Sequence, residues 1–361
     1  MKLEVINPSK HHAYQRFLDF NKANPNIKSQ YKALDEWYSK NKDERMKYVY
    51  IPRYAVARFT QEYYIKNFGI PEPKHLEQMN PKEVKGMTFI NALPMFSAWR
   101  MSLSIYRIDE DIFKEMLKAP IPSDTPSDIF KRLPDFCVYI EFPHIIKMSD
   151  INDDVEKNSN TDLEITGFWA YLNHPNNTTK KLELNICLDV IENENYIDTL
   201  PSNSMIIEDG LTVDKASDLV IEQYTGMPHF QAKALADSDK KTLLSLLPIL
   251  LWLCAEEPDI SNMVGEPLTI EKVREPKYSQ KKKSGQFIPP SNPRIYNLGS
   301  RLGGEIRAFK DEINQSDNTR KSTAKRPHIR RGHWHGYWTG TGQNKQFILK
   351  WVSATFVNAS D

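Results

Sequence analysis

Every second residue between Leu182 and Val190 is apolar, and this alternation constrains the middle of the chain. The apolar residues would share one face of an extended segment, as a half-buried strand requires. A second apolar segment, Ile165–Leu172, precedes it, and the turn-like sequence His174-Pro175-Asn176-Asn177 lies between the two. We therefore predict a central antiparallel hairpin, with Phe136–Phe142 and Ser204–Ile207 as further strands.

Helical patterns flank these strands on both sides in the sequence. Helices are predicted over His12–Asn24, Ser29–Lys42, Arg53–Asn67 and, bent at Pro94, most of Glu83–Arg107. Later in the chain, Asp239 is in a position to cap an apolar helix over Leu243–Glu256, and Ile295–Ile313 has an amphipathic pattern. The predicted fold class is α+β, with N-terminal helices, a small central antiparallel sheet, a buried C-terminal helix and a terminal β-hairpin.

The charge of the chain is unevenly distributed. Between Asn318 and Ser360 there are eight Lys or Arg residues and no Asp or Glu, and Lys272–Arg294 carries a further net charge of +6. Since the whole chain has a net charge of +1, the remainder without Asp361 carries −12. Like charges do not stabilise a folded module, so the basic segment indicates an acidic external partner, for which phosphate is the commonest candidate.

These features divide the chain into four predicted regions. They are a helical N-terminal region (1–94), an α+β body (95–271), a basic linker with an amphipathic helix (272–317) and a basic His/Arg/Trp hairpin module (318–361). An acidic body with basic C-terminal segments suits a protein that binds two different partners.

The cysteines and the longest apolar run indicate a cytoplasmic protein. Cys137, Cys187 and Cys254 are widely spaced within apolar segments, as buried free thiols in a reducing compartment are. The strongest apolar run, Leu246–Ala255, has ten residues, whereas a membrane span needs about 20. We therefore expect a buried helix there and no membrane partner.

The block Lys325–Trp338 combines cationic, imidazole and aromatic side chains. In an extended segment His333, His335 and Tyr337 would share one face, and Trp334 and Trp338 the other. Arginine binds phosphate bidentately, and exposed rings stack on bases. The candidate nucleic-acid contacts are Lys325, Arg326, His328, Arg330, Arg331, His333 and His335. There are two alternatives to nucleic-acid contact: the charges of the hairpin are simply solvated, or they bind an acidic protein partner.

The same histidines raise the question of catalysis. Two of them could cleave RNA as base and acid, with His328, His333, His335 and Arg330 as the candidate residues. Zinc is disfavoured because no Cys pair or nearby carboxylate completes a ligand set. The glycines of Gly299–Glu305 lack the P-loop ending, and close helix packing at Gly303 and Gly304 explains them better. We favour a binding protein without metal or cofactor over an enzyme.

Two further groups of residues are open to two interpretations each. The first group, Trp99, Arg100, Tyr106 and Trp169, lies in core-like segments, where most aromatic residues simply pack in the core. The second group, Glu256, Glu257 and Asp259, follows an apolar helix at the negative end of its dipole, where carboxylates are disfavoured. Such a local cost can mark a binding site for a cation or a basic peptide, and an exposed acidic turn is the alternative.

Several segments resemble the second family of type V-A anti-CRISPR proteins. They include Ala98-Trp99-Arg100, Ile105-Tyr106, Asp109-Glu110, Leu133-Pro134-Asp135, Cys137-Val138-Tyr139, Gly167–Ala170, Leu246–Pro248, Leu250–Cys254, Glu257–Ile260, Arg301–Glu305, Lys325–Trp338, Gly340–Gln343 and Phe356-Val357-Asn358. The resemblance extends over roughly Ala98–Asn358, and the block that ends at Trp338 is its most specific part.

This resemblance implies a counter-defence protein of phages or plasmids that acts in the bacterial cytoplasm on the type V-A CRISPR effector nuclease. It implies that the protein recognises the effector's nascent N-terminal polypeptide and that the translated mRNA is then lost. The candidate peptide contacts are Trp99, Arg100, Tyr106, Trp169, Glu256, Glu257 and Asp259. The acidic body would hold a basic, partly apolar peptide, and the basic tail would face the ribosome or the message. The alternatives are a ribonuclease and a generic RNA-binding repressor that ignores the peptide.

Overall fold

The structure, a computed structural model, describes residues 7–41, 44–52, 55–56, 92–157, 159, 162–174, 181–192, 195–196, 202–220, 228–281, 286–317 and 328–357. Its helices are α1 (His12–Ala23), α2 (Ile27–Lys40), α3 (92–99), α4 (Glu110–Met116), α5 (Met148–Ile151), α6 (Val213–Asp218), α7 (His229–Cys254), α8 (Ile270–Arg274) and α9 (Ser300–Asp317). Its strands are β1 (Ser104–Ile108), β2 (Cys137–Lys147), β3 (Glu164–Asn173), β4 (Leu182–Glu192), β5 (Asn195–Tyr196), β6 (Ser202–Ile207), β7 (Ile260–Asn262), β8 (Pro267–Leu268), β9 (Ser279–Gln280), β10 (Phe287–Ile288), β11 (Arg294–Leu298), β12 (His328–Arg330), β13 (His333–Thr339), β14 (Gln346–Val352) and β15 (Thr355–Val357).

Nine of these strands form one mixed sheet. Their order is β5-β4-β3-β2-β1-β11-β7-β8, and β6 pairs with the first half of β4. Strand β1 is parallel to both of its neighbours, β2 and β11, whereas the other pairings of the sheet are antiparallel. The α+β class is therefore confirmed, and the sheet is larger and less purely antiparallel than the sequence predicts.

Two of the additional strands, β1 and β11, come from segments that the sequence assigns to helices. Of the predicted helix Glu83–Arg107, residues 92–99 are helical, and β1 follows after a turn. The amphipathic segment that starts at Ile295 is first strand β11 and only then helix α9. Gly299 separates the two with a positive φ of 70°, and Ile112 occupies the space where a Cβ would project. The predicted helix over Arg53–Asn67 lies mostly outside the described residues.

The two faces of the sheet build separate cores. On one face, residues such as Val138, Phe168 and Leu188 pack with the buried C-terminal half of α7 and with α4. On the other face, Tyr139 and Trp169 pack with α1, α2 and α3. The sheet thus lies between two helical layers, because alternate residues of its central strands point to opposite sides.

Helix α7 contains the predicted apolar helix but begins earlier. It starts at His229, so Asp239 lies inside the helix and does not cap it. The Asp239 carboxylate accepts a hydrogen bond of 2.7 Å from Asn203 Nδ2 instead. Among the described residues, no helix is both long and apolar enough to cross a lipid bilayer.

Three smaller predictions concern the cysteines, the basic linker and the domain division. All three cysteines are buried and free, as predicted. In the segment over Lys277–Pro293, β9 and β10 form a short ribbon, and Lys277 is buried with its Nζ 3.0 Å from Asp135 Oδ1. Strand β11 comes from region 272–317 but belongs to the sheet of the body. The four-region division itself stays a prediction.

Candidate functional site

The C-terminal segment forms the antiparallel hairpin that the sequence predicts. Strands β13 and β14 pair from His333–Val352 to Thr339–Gln346, and β12 pairs separately with β15. Trp334 is buried against Trp252 and Trp351, with ring centroids 6.0 and 5.2 Å away. Trp338, predicted as a second anchor, is 49% exposed. One tryptophan of the pair therefore attaches the hairpin to the body.

The outer face of this hairpin carries polar rings and positive charge. His335 is exposed opposite Lys350, and Tyr337 lies next to it with a ring-centroid distance of 5.6 Å. Arg330 and Arg331 are exposed just before β13, and neither has an ion pair within the described part of the chain. Lys325 and Arg326 lie outside the described residues, and for His328 only the backbone, in β12, is described. The hairpin thus brings together the rest of the candidate nucleic-acid contacts, with His333 half-buried on the same face.

The acidic turn after α7 is engaged within the protein. Glu256 accepts a hydrogen bond of 2.7 Å from Arg132 and donates its backbone N–H to Leu349, which attaches the hairpin to the body. Asp259 Oδ2 accepts the backbone N–H of Leu302 at 3.0 Å, in the first turn of α9. Glu257 is 80% exposed and lies 3.2 Å from Lys350. These contacts account for the carboxylates at the end of the α7 dipole.

Three of the candidate peptide contacts are core residues. Trp99, Tyr106 and Trp169 each have no exposed surface. The Trp99 indole donates to the Ser104 carbonyl at 3.0 Å, and the Tyr106 hydroxyl donates to Asp135 at 3.1 Å. Since these side chains are enclosed by the protein, a surface-bound peptide cannot reach them, and their interpretation as peptide contacts is corrected.

Arg100 differs from these three residues because it lines an open groove between α1, α2 and the segment 286–290. The groove has a volume of about 600 Å³. Its walls are mainly apolar and aromatic, and include Tyr14, Phe17, Ile27, Tyr31, Leu103, Phe287, Pro289 and Pro290. The exposed side chains of Lys22, Lys28 and Lys32 form its rim. The combination gives an apolar cleft with a basic edge.

The floor of the groove is a buried polar network around Arg100. Its Nη2 donates to the Asp35 carboxylate and, at 2.7 Å, to the Tyr50 hydroxyl, which itself donates to Asp35. The guanidinium also lies over the Tyr31 ring, 4.6 Å from its centroid. Burial raises the pKa of Tyr31 well above its usual value, so the phenol stays neutral. The Arg100 Nε is buried and has no hydrogen-bond partner among the described residues.

A second buried network joins the start of α1 to the sheet. His11 Nε2 lies 3.0 Å from Glu141 on β2, and His12 Nε2 lies 2.7 Å from the Tyr139 hydroxyl. Arg16 donates to Asp189 on β4, which also accepts the Tyr139 hydroxyl at 2.7 Å. This network fixes α1 on the sheet, and α1 supplies one wall of the groove.

His11, His12 and Glu141 also offer ligand atoms that lie within 4.8 Å of one another. However, His11 Nδ1 accepts the Ala13 backbone N–H at 3.2 Å, which leaves the proton on Nε2 to be donated to Glu141. The guanidinium groups of Arg16 and Arg107 also neutralise the negative charge of the carboxylates of Asp189 and Glu141, respectively. The donor set therefore fits a hydrogen-bond network better than a cation site.

Protonation in this network follows from its surroundings. Burial lowers the pKa of His12, although Asp189 opposes the effect, so neutral imidazole is favoured. Burial alone would raise the pKa of Glu141, but the hydrogen bond from His11 and the nearby His12 and Arg107 lower it overall. No motif in the sequence marks this network. The signal that could have revealed it is that Glu141 and Asp189 each lie between two apolar residues inside a predicted strand.

The fold is an α+β fold built on a two-sided mixed sheet, with an open groove on one side. Residues 106–359 match the model of the AcrVA2-like family, described as the anti-CRISPR type V subtype A2 family. The chain belongs to this family, as the sequence resemblance predicts, and is an AcrVA2-like anti-CRISPR protein. The family suggests a target related to a CRISPR effector.

Two known proteins extend this comparison. The crystal structure of AcrVA2 is 31% identical and has a TM-score of 0.71, with 96% of this chain and 99% of that chain covered. The structural likeness thus reaches beyond the part matched by the family model. Protein FinQ of Escherichia coli is 22% identical over 245 residues, and the match spans 65% of this chain and 66% of FinQ.

Proposed function

We propose that this protein lowers the production of a type V-A CRISPR effector nuclease by recognising the effector's nascent N-terminal polypeptide, and that this recognition leads to loss of the translated mRNA. The open groove beside Arg100 is the observation on which the proposal rests. Its volume of about 600 Å³ lies within the usual range of ligand pockets, about 300–1,000 Å³. The groove is open at the surface, so an extended peptide can enter it without unfolding of the protein.

The lining of the groove indicates the kind of peptide that it would hold. Apolar side chains of the peptide would pack on the aromatic and apolar walls of the groove, such as Tyr31 and Pro289. The lysines at the rim would attract acidic residues beside the apolar ones. At this groove, therefore, we replace the expectation of a basic peptide held by an acidic body with that of an apolar peptide with acidic residues. The exposed Glu257 remains a separate proposed contact.

Binding of the effector's N-terminal peptide to the purified full-length protein tests the groove. Tyr31→Ala removes an aromatic wall, and Lys28→Glu with Lys32→Glu reverses the charge of the rim. We expect each variant to weaken binding by about tenfold. The matched control is K118E/K233E, which reverses two exposed charges away from the groove. If the groove variants bind the peptide as tightly as this control does, the groove is excluded as the peptide-binding site.

A reporter in cells tests recognition of the polypeptide rather than its message. The effector's first codons are fused to a reporter gene, and its mRNA is measured with and without the protein. Synonymous recoding should leave the loss of mRNA intact, whereas a frameshifted peptide from nearly the same nucleotides should abolish it. The reverse pattern would contradict the proposal and favour the generic RNA-binding repressor.

A further inference from the structure

We infer that the outer surface of the terminal hairpin is a binding site for a single-stranded nucleic acid. This surface, the hairpin face, consists of Arg330, Arg331, His335 and Tyr337. Trp338 follows Tyr337 near the tip, where its ring packs against Phe347 and remains 49% exposed. In the setting of the proposed function the strand is RNA, but the physical argument depends only on the hairpin.

The first observation is that the two arginines of the hairpin face carry charge that no ion pair neutralises within the described residues, whereas Lys350, opposite His335, is paired with Glu257. Arg330 and Arg331 are exposed and, in the described ranges of the chain, have no carboxylate within ion-pair distance. Exposed arginines bind phosphate oxygens bidentately and keep their charge at every physiological pH. No Asp or Glu occurs between Asn318 and Ser360, so nothing on the segment itself repels a phosphate.

The second observation is the exposure of large rings further along the same hairpin, six and seven residues after Arg331. Of the nine large apolar side chains that are exposed among the described residues, Tyr337, Trp338 and Val352 lie on β13 and β14. Tyr337 is 37% exposed and adjoins the exposed His335 ring. The hairpin does not need these rings as anchors, because Trp334 and Phe347 already attach it to the core.

A surface that carries both exposed rings and cations favours single-stranded nucleic acid over duplexes and acidic proteins. Aromatic side chains stack on bases only where the bases are unstacked, as in single strands, and each stacked base contributes about 1–3 kcal/mol. A duplex would use the arginines but leave the rings unoccupied. An acidic protein would likewise leave Tyr337 and Trp338 without a matching planar partner. The combination therefore favours a single strand, with phosphates on the arginines and bases on the rings.

Fluorescence anisotropy with the full-length protein and a labelled 20-nucleotide oligouridine tests this inference across a range of salt concentrations. Arg330→Gln with Arg331→Gln should weaken binding by about tenfold and reduce the slope of log K against log salt by about 1.4, since each phosphate contact on a single strand contributes about 0.7. Tyr337→Ala should weaken binding by about tenfold and leave this slope unchanged. The control K118Q/K233Q removes two exposed cations on the body and should match the wild type within about twofold.

Three further arms identify the ligand. Oligothymidine that binds as tightly as oligouridine would show that the site takes either sugar, and would support a single-strand site. Tighter binding of a duplex would overturn the inference in favour of a duplex recognised by its shape. Displacement of oligouridine by polyglutamate of equal charge would overturn it in favour of an acidic protein partner. If the protein cleaves oligouridine and His335→Ala abolishes this cleavage, the result would support RNA contact and would identify the protein as a ribonuclease.

The substituted side chains are exposed, so thermal unfolding of these variants should match that of the wild type. Arginine and tyrosine variants that bind like the K118Q/K233Q control would overturn the inference. The groove variant K28E/K32E should bind oligouridine normally. If it does, and yet wild-type protein fails to bind the effector peptide, only the proposed function is lost.

Discussion

The two sides of the central sheet are built from different chemistry. On the α7 side the core is largely aliphatic, and Leu246, Leu250 and Leu253 have no exposed surface. On the side of α1 and α2 the core is aromatic and contains buried ion pairs, Arg16–Asp189 and Arg100–Asp35. The groove lies on this second side.

This difference means that one side of the sheet mainly stabilises the fold, whereas the other mainly positions the helices packed on it. Aliphatic side chains stabilise the fold through burial and tolerate small rearrangements. Buried ion pairs contribute little net stability, but they are costly to break and therefore hold their elements in one arrangement. The aliphatic side thus supports the sheet, and the polar side fixes the helices that form the groove.

The largest expected effect comes from breaking an ion pair on the polar side. Asp189→Ala leaves the buried Arg16 guanidinium without its carboxylate, and we expect the free energy of unfolding to fall by about 3–5 kcal/mol. Urea unfolding followed by circular dichroism measures this. The control Asp209→Asn removes an 82% exposed partner of Lys131 and should change stability by less than about 1 kcal/mol. Equal effects of the two variants would show that the buried pair has no special role.

On the aliphatic side, Leu250→Ala should lower the free energy of unfolding by about 2–5 kcal/mol because it opens a cavity between α7 and the core of the sheet. Below its unfolding temperature this variant should still bind the effector peptide, whereas Asp189→Ala should bind more weakly because α1 is no longer fixed. Leu235→Ala, at a 43% exposed position of the same helix, is the matched control. Loss of peptide binding in Leu250→Ala would contradict the division between the two sides.

The polar side should also be sensitive to pH through His12. Burial lowers the pKa of this residue from its ordinary 6.5, so below that value the unfolded state binds more protons than the folded state. Stability should therefore fall as the pH decreases below about 6.5. His12→Gln should reduce this dependence, measured as the difference in urea midpoints between pH 7.5 and 5.5. A variant that retains the full pH dependence would assign it to other groups.

The smallest expected effect concerns the surface contact between the hairpin and the body. Lys350→Gln removes the pair with the exposed Glu257, and stability should change by less than about 1 kcal/mol. Thermal unfolding at low and high salt measures this, since the salt dependence should shrink with the pair. A larger loss would mean that charge, rather than Trp334, attaches the hairpin.

Much of the fold could be predicted from local patterns. The alternation that begins at Leu182 predicted the apolar face of β4, although the structure buries the opposite face as well, and the terminal hairpin was also predicted. Gly303 was predicted to allow close helix packing, and a Cβ there would lie 2.0 Å from Asp109 Oδ1. Gly304, predicted with it, has no neighbour within 4 Å of a Cβ. Local patterns thus predict β4, the terminal hairpin and the close packing at Gly303, but not the environment of Gly304.

The site could be predicted only in part because its residues meet through the tertiary fold. His11 lies 130 positions before Glu141, and Arg100 lies 65 positions after Asp35. Short strands such as β1 carry too few residues to display a period of two, and their apolar spacing also fits a helix. The same limit placed Trp99 and Trp169 among the binding residues, since a sequence does not show which apolar segments are enclosed.

The parallel pairing of β1 with β11 determines when the protein can complete its fold. This pairing joins Ser104 to Arg294, 190 positions later in the chain. During translation, β1 can pair with β2 early, but its other edge lacks its neighbour until the 190 further residues up to Arg294 have been synthesised, and such distant pairings form slowly. Until then, the growing chain presents an open strand edge in the middle of its future sheet, which is a template for aggregation. Truncation before Arg294 would leave that edge permanently open, so the native state depends on near-complete synthesis of the chain.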